Sequence, residues 1–210
     1  DIREPLVLFG VWLGEMYRLE SARTQRLMEE CVGRAEDYKS VVLVSSKYQA
    51  VITILYQIRD LQSGKRRYGR AVVPMVSRSL DEIPVFTWME CQGLEQLPDA
   101  LSDMLELRQW NLVYPEGTML DRNLPGETRF VPLKYPVGME LELRQAAALK
   151  QDQEVARIFQ RFVQYCREEP HKPEEIREAS VRLAIYMISI LKSIGTVQDV
   201  AFAQNLIAPV

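Results

Sequence analysis

The chain of 210 residues sets 26 Lys and Arg against 29 Asp and Glu, a net charge of −3, with 47% hydrophobic and 26% charged residues. That length holds one large domain or two small ones around a hydrophobic core, and the composition is that of an ordinary globular protein. Without a basic excess, these residues are not expected to grip DNA or RNA directly.

Cys31, Cys91 and Cys166 are far apart and form no Cys-x-x-Cys pair. An odd, unpaired set suits a reducing cytosol and argues against a disulfide framework; each is most simply a small buried hydrophobe. The start at Asp1 has no basic region leading into an apolar stretch, as a secretory signal would. The apolar run LAIYMISIL (183–191) is too short to span a bilayer. A cytoplasmic protein without membrane contact is expected. A chain that opens on Asp and stops at IAPV reads as a piece of something longer.

In chain order, residues 5–31 carry a helical pattern: Leu6, Phe9, Leu13, Met16 and Tyr17 recur at three- and four-residue spacing, then Leu27, Met28 and Cys31. Gly10 and Gly14 weaken the first half; they let another backbone approach closely, mark a helix in contact with a partner, or are simply tolerated on a surface helix. YKSVVLVSS (38–46) is β-branched and apolar and reads as a strand. AVITILYQI (50–58) fits a helix about as well as a buried strand, and its β-branched density favours a hairpin with the strand before it.

RDLQSGKRRYGR (59–70) reads as a loop or helix end. Its Lys65, Arg66, Arg67 and Arg70 are either an anion contact or, more simply, a solvated loop. VFTWMECQ (85–92) is a third strand, and Pro98 with Asp99 starts a helix within residues 94–111. The prolines and glycines of residues 113–136 read as an extended linker.

Beyond Pro136 the pattern turns helical. One helix holds Leu141, Ala148 and Leu149; after a break near 150–154, a second presents Val155, Ile158, Phe159, Phe162 and Val163. A third covers 174–194 with Ile176, Ala179, Leu183, Tyr186, Met187, Ile190, Leu191 and Ile194, and is apolar almost all round from Leu183. Leu183, Met187, Ile190 and Leu191 are the expected packing residues of this half. Gly195 is a stop, and residues 197–207 start a possible fourth helix.

Catalysis needs groups that titrate, attack or bind metal. The single histidine, His171, lies in a polar turn and reads as exposed. One histidine makes a Ser-His-Asp triad or a His-rich zinc site improbable. There is no G-x-S-x-G elbow, phosphate loop or G-x-G-x-x-G. The pairs Glu140/Glu142 and Glu174/Glu175 fall on helical surface patterns. Trp12, Trp88 and Trp110 are too spread to stack single-stranded nucleic acid. No catalytic, cofactor-binding or metal-binding residue is assigned, and no cofactor is expected.

Strand, tight turn, strand, irregular segment, strand, then LEQLPDAL leading a helix resembles the order around a diguanylate cyclase active site. In that family the hairpin carries Gly-Gly-(Asp or Glu)-Glu-Phe, whose carboxylates hold Mg²⁺. The matching turn here is Ser45, Ser46, Lys47, Tyr48 and Gln49. With those oxygen ligands gone, two-metal phosphoryl chemistry is not expected. Residues 94–120, 135–164 and 174–195 also resemble the middle region of AraC-type, YesN-like bacterial transcription regulators, where a degenerate cyclase-like module precedes a helical segment.

The combined expectation is an α+β fold: a small antiparallel sheet with helices, then a helical bundle segment. It has a cyclase-like module at 1–112, a connector at 113–136 and a helical signalling and dimerisation segment at 137–210. The resemblance implies a non-enzymatic relay, a homodimer, an unknown small-molecule effector, and DNA contact only through a separate unit outside these residues. The alternatives are a stand-alone interaction module with an apolar helical docking surface, and an unfamiliar nucleotide enzyme using Lys47, Arg66 and Arg67.

Overall fold

The computed structural model describes residues 5–32 and 37–194. They form an α+β protein of two compact units that divide between Glu127 and Thr128.

The first unit is built on β1 (Pro5–Trp12), followed by a 3-10 turn and α1 (Tyr17–Val32). The helix expected from residue 5 is therefore a strand for its first eight residues. Seven of those eight are buried, because β1 is covered on both faces. A strand buried on both sides shows a continuous apolar run, with no alternation to separate it from a helix.

The hairpin follows as β2 (Lys39–Ser45) and β3 (Ala50–Tyr56), so the β-branched run is indeed a strand. Next come α2 (Leu61–Arg67), a π-helical turn (Tyr68–Val72) and α3 (Val73–Ser79). α2 and the start of the π turn stand where a loop or helix end is expected from residues 59–70. Asp60 starts α2 by accepting the Ser63 amide at 3.0 Å, a side-chain cap that satisfies one orphan donor. β4 (Val85–Gln92), α4 (Leu97–Leu107), the two-residue β5 (Met119–Leu120) and α5 (Leu124–Glu127) complete the unit.

The sheet order is β2-β3-β1-β4-β5. The first four strands are antiparallel; β5 joins β4 in parallel, so the sheet is mixed rather than wholly antiparallel. β1 and β2 run the same way with β3 between them, the split β-α-β-β-α-β arrangement.

One face of the sheet presents Val7, Phe9, Val11, Val51, Leu55, Phe86 and Trp88 to α1, the π turn and α3, through Met28, Tyr68, Val72, Val73 and Val76. The other presents Leu6, Leu8, Trp12, Ala50, Ile52, Met89 and Cys91 to α4, through Ala100, Met104 and Leu107. Odd residues of β1 thus serve one core and even residues the other, as strand geometry requires.

Gly10 is where the second core closes. A Cβ there would lie 2.6 Å from Thr87 Oγ1, 2.7 Å from Met104 Cε and 2.9 Å from Trp12 Nε1. The same Trp12 nitrogen donates to Thr87 Oγ1 at 2.8 Å, a buried bond between adjacent strands. The glycine belongs to a strand and serves the packing of its own sheet against α4.

The second unit holds α6 (Val137–Ala148), α7 (Asp152–Glu168) and α8 (Pro173–Ile194). Leu143, Ala146, Ile158, Phe162, Cys166, Ile176, Ala179, Leu183 and Ile190 are buried. Val163, expected on the inner face of α7, is instead exposed. Of the four expected packing residues of α8, Leu183 and Ile190 are buried, while Met187 and Leu191 are half-buried. The possible fourth helix at 197–207 lies outside the described residues.

Gly10→Ala should cost about 2–4 kcal/mol, because the methyl overpacks the core and parts the Trp12–Thr87 bond. Urea unfolding checks this; an unchanged midpoint would mean that the close approach does not constrain the fold.

Candidate functional site

The sequence directs attention to the turn of the β2–β3 hairpin, residues 46–49. Gln49 has φ 51°, in the left-handed region, and its amide donates to Ser46 O at 3.4 Å. Its carbonyl accepts from the Leu13 amide at 2.9 Å, which ties the turn to the end of β1. The hairpin tip and the last residues of the central strand therefore meet at one end of the sheet.

That end is furnished with rings and cations. Lys47 lies on the turn, with its ammonium 5.0 Å from the Tyr48 ring centroid. Tyr48 packs against the core that contains Trp12, Ala50 and Met104. The Arg108 guanidinium lies 5.5 Å over the Trp12 ring. A cation over an aromatic face is a favourable contact of a modest order. A hard divalent cation needs several oxygen ligands, and the turn residues supply no carboxylate. Among the described residues no group of three or more His, Cys, Asp or Glu is arranged to hold a metal ion.

The structure distributes the other expected cations over different elements. Lys65, Arg66 and Arg67 end α2, and Arg70 lies in the π turn that follows. Lys65 is paired 2.6 Å from Asp121, both side chains largely buried. Asp121 also accepts the amides of Asn123 at 2.7 Å and Leu124 at 3.3 Å, so one carboxylate anchors α2 and starts α5. Arg66, Arg67 and Arg70 are exposed. Lys47, on the hairpin, belongs to a different element from the two arginines. No local signal links Lys65 to Asp121, which is 56 positions later in the chain.

The polar chemistry of the second unit was missed as well. Residues 128–136, expected as part of an extended linker, are a strap fastened to α7, α8 and the turn between them. The Val131 amide donates to Pro170 O at 2.9 Å, and the Leu133 amide to Glu175 Oε2 at 3.1 Å. Tyr165 donates its hydroxyl to Lys134 O at 2.6 Å.

His171, expected to be exposed, is buried, and its Nδ1 lies 2.7 Å from Val131 O. That carbonyl fixes the ring, with Nδ1 as the donor. A shallow cavity of about 440 Å³ lies beside it, lined by Val131, Lys134, Tyr165, Glu168 and His171 among others.

At the end of the strap, the Arg182 guanidinium lies 3.9 Å over the Tyr135 ring while its Nε donates to Glu140 Oε1 at 3.2 Å. Burial, then the neighbouring Glu140 carboxylate, pushes the Tyr135 phenol up to about 12. Burial alone pushes the Cys166 thiol up to about 11, which leaves it an unreactive core group.

No family model, curated protein or solved structure matches the chain. Among the described residues, no helix is long and apolar enough to cross a membrane.

The Tyr135 phenol gives a signed test. Below pH 10 it is protonated in the folded and the unfolded chain. Between pH 10 and 12 the unfolded chain releases the proton and the folded one keeps it, so stability falls as pH rises. Tyr135→Phe should lose less stability than the natural protein across that window in urea unfolding. Parallel pH profiles would remove Tyr135 from the balance.

Proposed function

We propose that the chain is a non-enzymatic regulatory part of an AraC-type bacterial transcription regulator, built on a cyclase-like sheet whose nucleotide chemistry is lost. The observation that carries this reading is the hairpin turn: a cyclase keeps metal carboxylates on the matching turn, yet here it is made of Ser46, Lys47, Tyr48 and Gln49 and is bonded to the end of the central strand. The lysine lies over Tyr48, and Tyr48 and Trp12 share the core beneath the turn.

In this reading the protein works in the cytoplasm as a homodimer. The helical unit passes a signal to a DNA-binding unit outside these residues. A small-molecule effector or upstream domain shifts the population between two helical packings. The arrangement of Leu183 and Ile190 in the α8 core is what such a shift would alter.

A stand-alone interaction module is the second reading. Val137 and Leu141 on α6, and Val181 and Ile185 on α8, favour it: all four are exposed, and each pair recurs at four-residue spacing.

Two experiments separate these readings from an enzyme and from each other. Incubated with GTP and Mg²⁺ or Mn²⁺, the protein should release no pyrophosphate and form no cyclic dinucleotide; turnover that follows the protein would overturn the non-enzymatic reading. Reading the coding sequence past Val210 should reveal two helix-turn-helix patterns with basic recognition helices. A stop codon directly after Val210 would give the interaction module first place.

A further inference from the structure

Between the strap of residues 128–136 and the turn from α7 into α8 lies the cavity beside His171, of about 440 Å³. That volume is within the range of small-molecule sites, roughly 300–1,000 Å³. His171 lines it and is only 5% exposed. Its Nδ1 proton is committed to Val131 O at 2.7 Å, so in the neutral ring Nε2 is an acceptor. Nε2 has no hydrogen-bond partner among the described residues, yet it is not sealed in the core. A buried ring held by one nitrogen and left open at the other is arranged to receive a donor from the cavity.

The other polar groups of the lining say what kind of donor. Tyr165 gives its proton to Lys134 O at 2.6 Å, so its oxygen only accepts. Glu168 and Glu169, when ionised, also only accept, and neither is in an ion pair among the described residues. Lys134 is the cation of the lining, exposed and likewise without an ion pair among the described residues.

Several acceptors and a single cation match a ligand with a positive head rich in N–H donors, joined to one anionic group. An α-amino acid has that form. Its ammonium offers three donors, for His171 Nε2, Tyr165 Oη and a glutamate, and its carboxylate answers Lys134. A simple anion would meet two carboxylates and a lone pair. A metal ion finds no group of three or more His, Cys, Asp or Glu among the described residues.

We infer that this cavity binds a free α-amino acid, with its ammonium on His171 Nε2 and the glutamates and its carboxylate on Lys134. Lys134 belongs to the strap, and Glu168, Glu169 and His171 to the end of α7 and the turn after it. The bound molecule ties strap to turn, beside the bonds of the Val131 amide to Pro170 O and the Leu133 amide to Glu175. It gives the effector of the functional reading a place and a chemical class; that role rests on the reading, while the binding does not.

His171 is the single histidine of the chain, so labelled imidazole nitrogens give one unambiguous NMR signal for Nε2. The full chain is titrated with each common L-amino acid to millimolar concentration, at a pH above the ordinary imidazole range. At least one should move the Nε2 resonance saturably. Two analogues of that amino acid divide the contacts: the N-trimethyl form keeps both charges without N–H donors, and the amide keeps the ammonium without the carboxylate. Each should bind roughly tenfold more weakly or worse. Lys134→Gln, at an exposed position and checked for its fold by circular dichroism, should weaken the amino acid by roughly tenfold and leave the amide no weaker.

The absence of a saturable shift with every amino acid overturns the site. So does a trimethyl or amide analogue that binds as tightly as the amino acid, or a Lys134→Gln variant of unchanged affinity. None of these results bears on the regulatory reading, whose failure is read from GTP turnover and the flanking coding sequence; a stop codon directly after Val210 would leave the binding in place.

Discussion

The bare Cα of Gly10 lets the central layer close. β1 lies between β3 and β4 and is bonded to both, and Gly10 lies in its middle, opposite Ile52 on one side and Thr87 on the other. With no side chain there, Met104 of α4 reaches the strand, and the Trp12 indole bonds to Thr87 across the space. Interiors are packed as densely as organic crystals, so one methyl at that point is felt by all three partners. The same packing places Trp12 at the hairpin end of the sheet, under Arg108 and beside Tyr48.

This links the fold to the functional reading. A metal-dependent nucleotide site at the end of such a sheet needs carboxylates on the turn and room above the central strand. Here the turn carries Lys47, and the aromatic rings of Trp12 and Tyr48 belong to the hydrophobic core. A lysine ammonium repels a divalent cation; over an aromatic ring it is stabilised. In the proposed reading the residues at this end serve packing, and a change of role from chemistry to scaffold would need no change in strand order.

Much of the α+β layout is legible in the sequence, and the departures have physical causes. KSVVLVS is dense in β-branched residues, and Pro98 with Asp99 marks a helix start, so local chemistry suffices for β2 and α4; AVITILY fits a helix about as well as a strand, and its pairing with β2 and β1 decides it. PLVLFGVW misleads because a strand buried on both faces has lost its two-residue period; Gly10 inside it is the remaining sign, since an interior glycine often marks a close approach. The helix α2 is hidden by its charge, and Lys65 is held by Asp121, far along the chain. His171 sits among charged and proline neighbours and reads as exposed, yet residues 128–136 fold over it through bonds that no local pattern announces. What sequence reading misses is what long-range partners decide.

The most direct test of the central claim, a hairpin end that holds no catalytic metal, is paramagnetic broadening of backbone amide resonances on titration with Mn²⁺. The account predicts that the signals of residues 46–49 and of Gly10 through Gly14 stay as sharp as those of β4 throughout. Saturable broadening centred on those residues, reversed by excess Mg²⁺, would contradict it and restore a metal-dependent function to this end of the sheet.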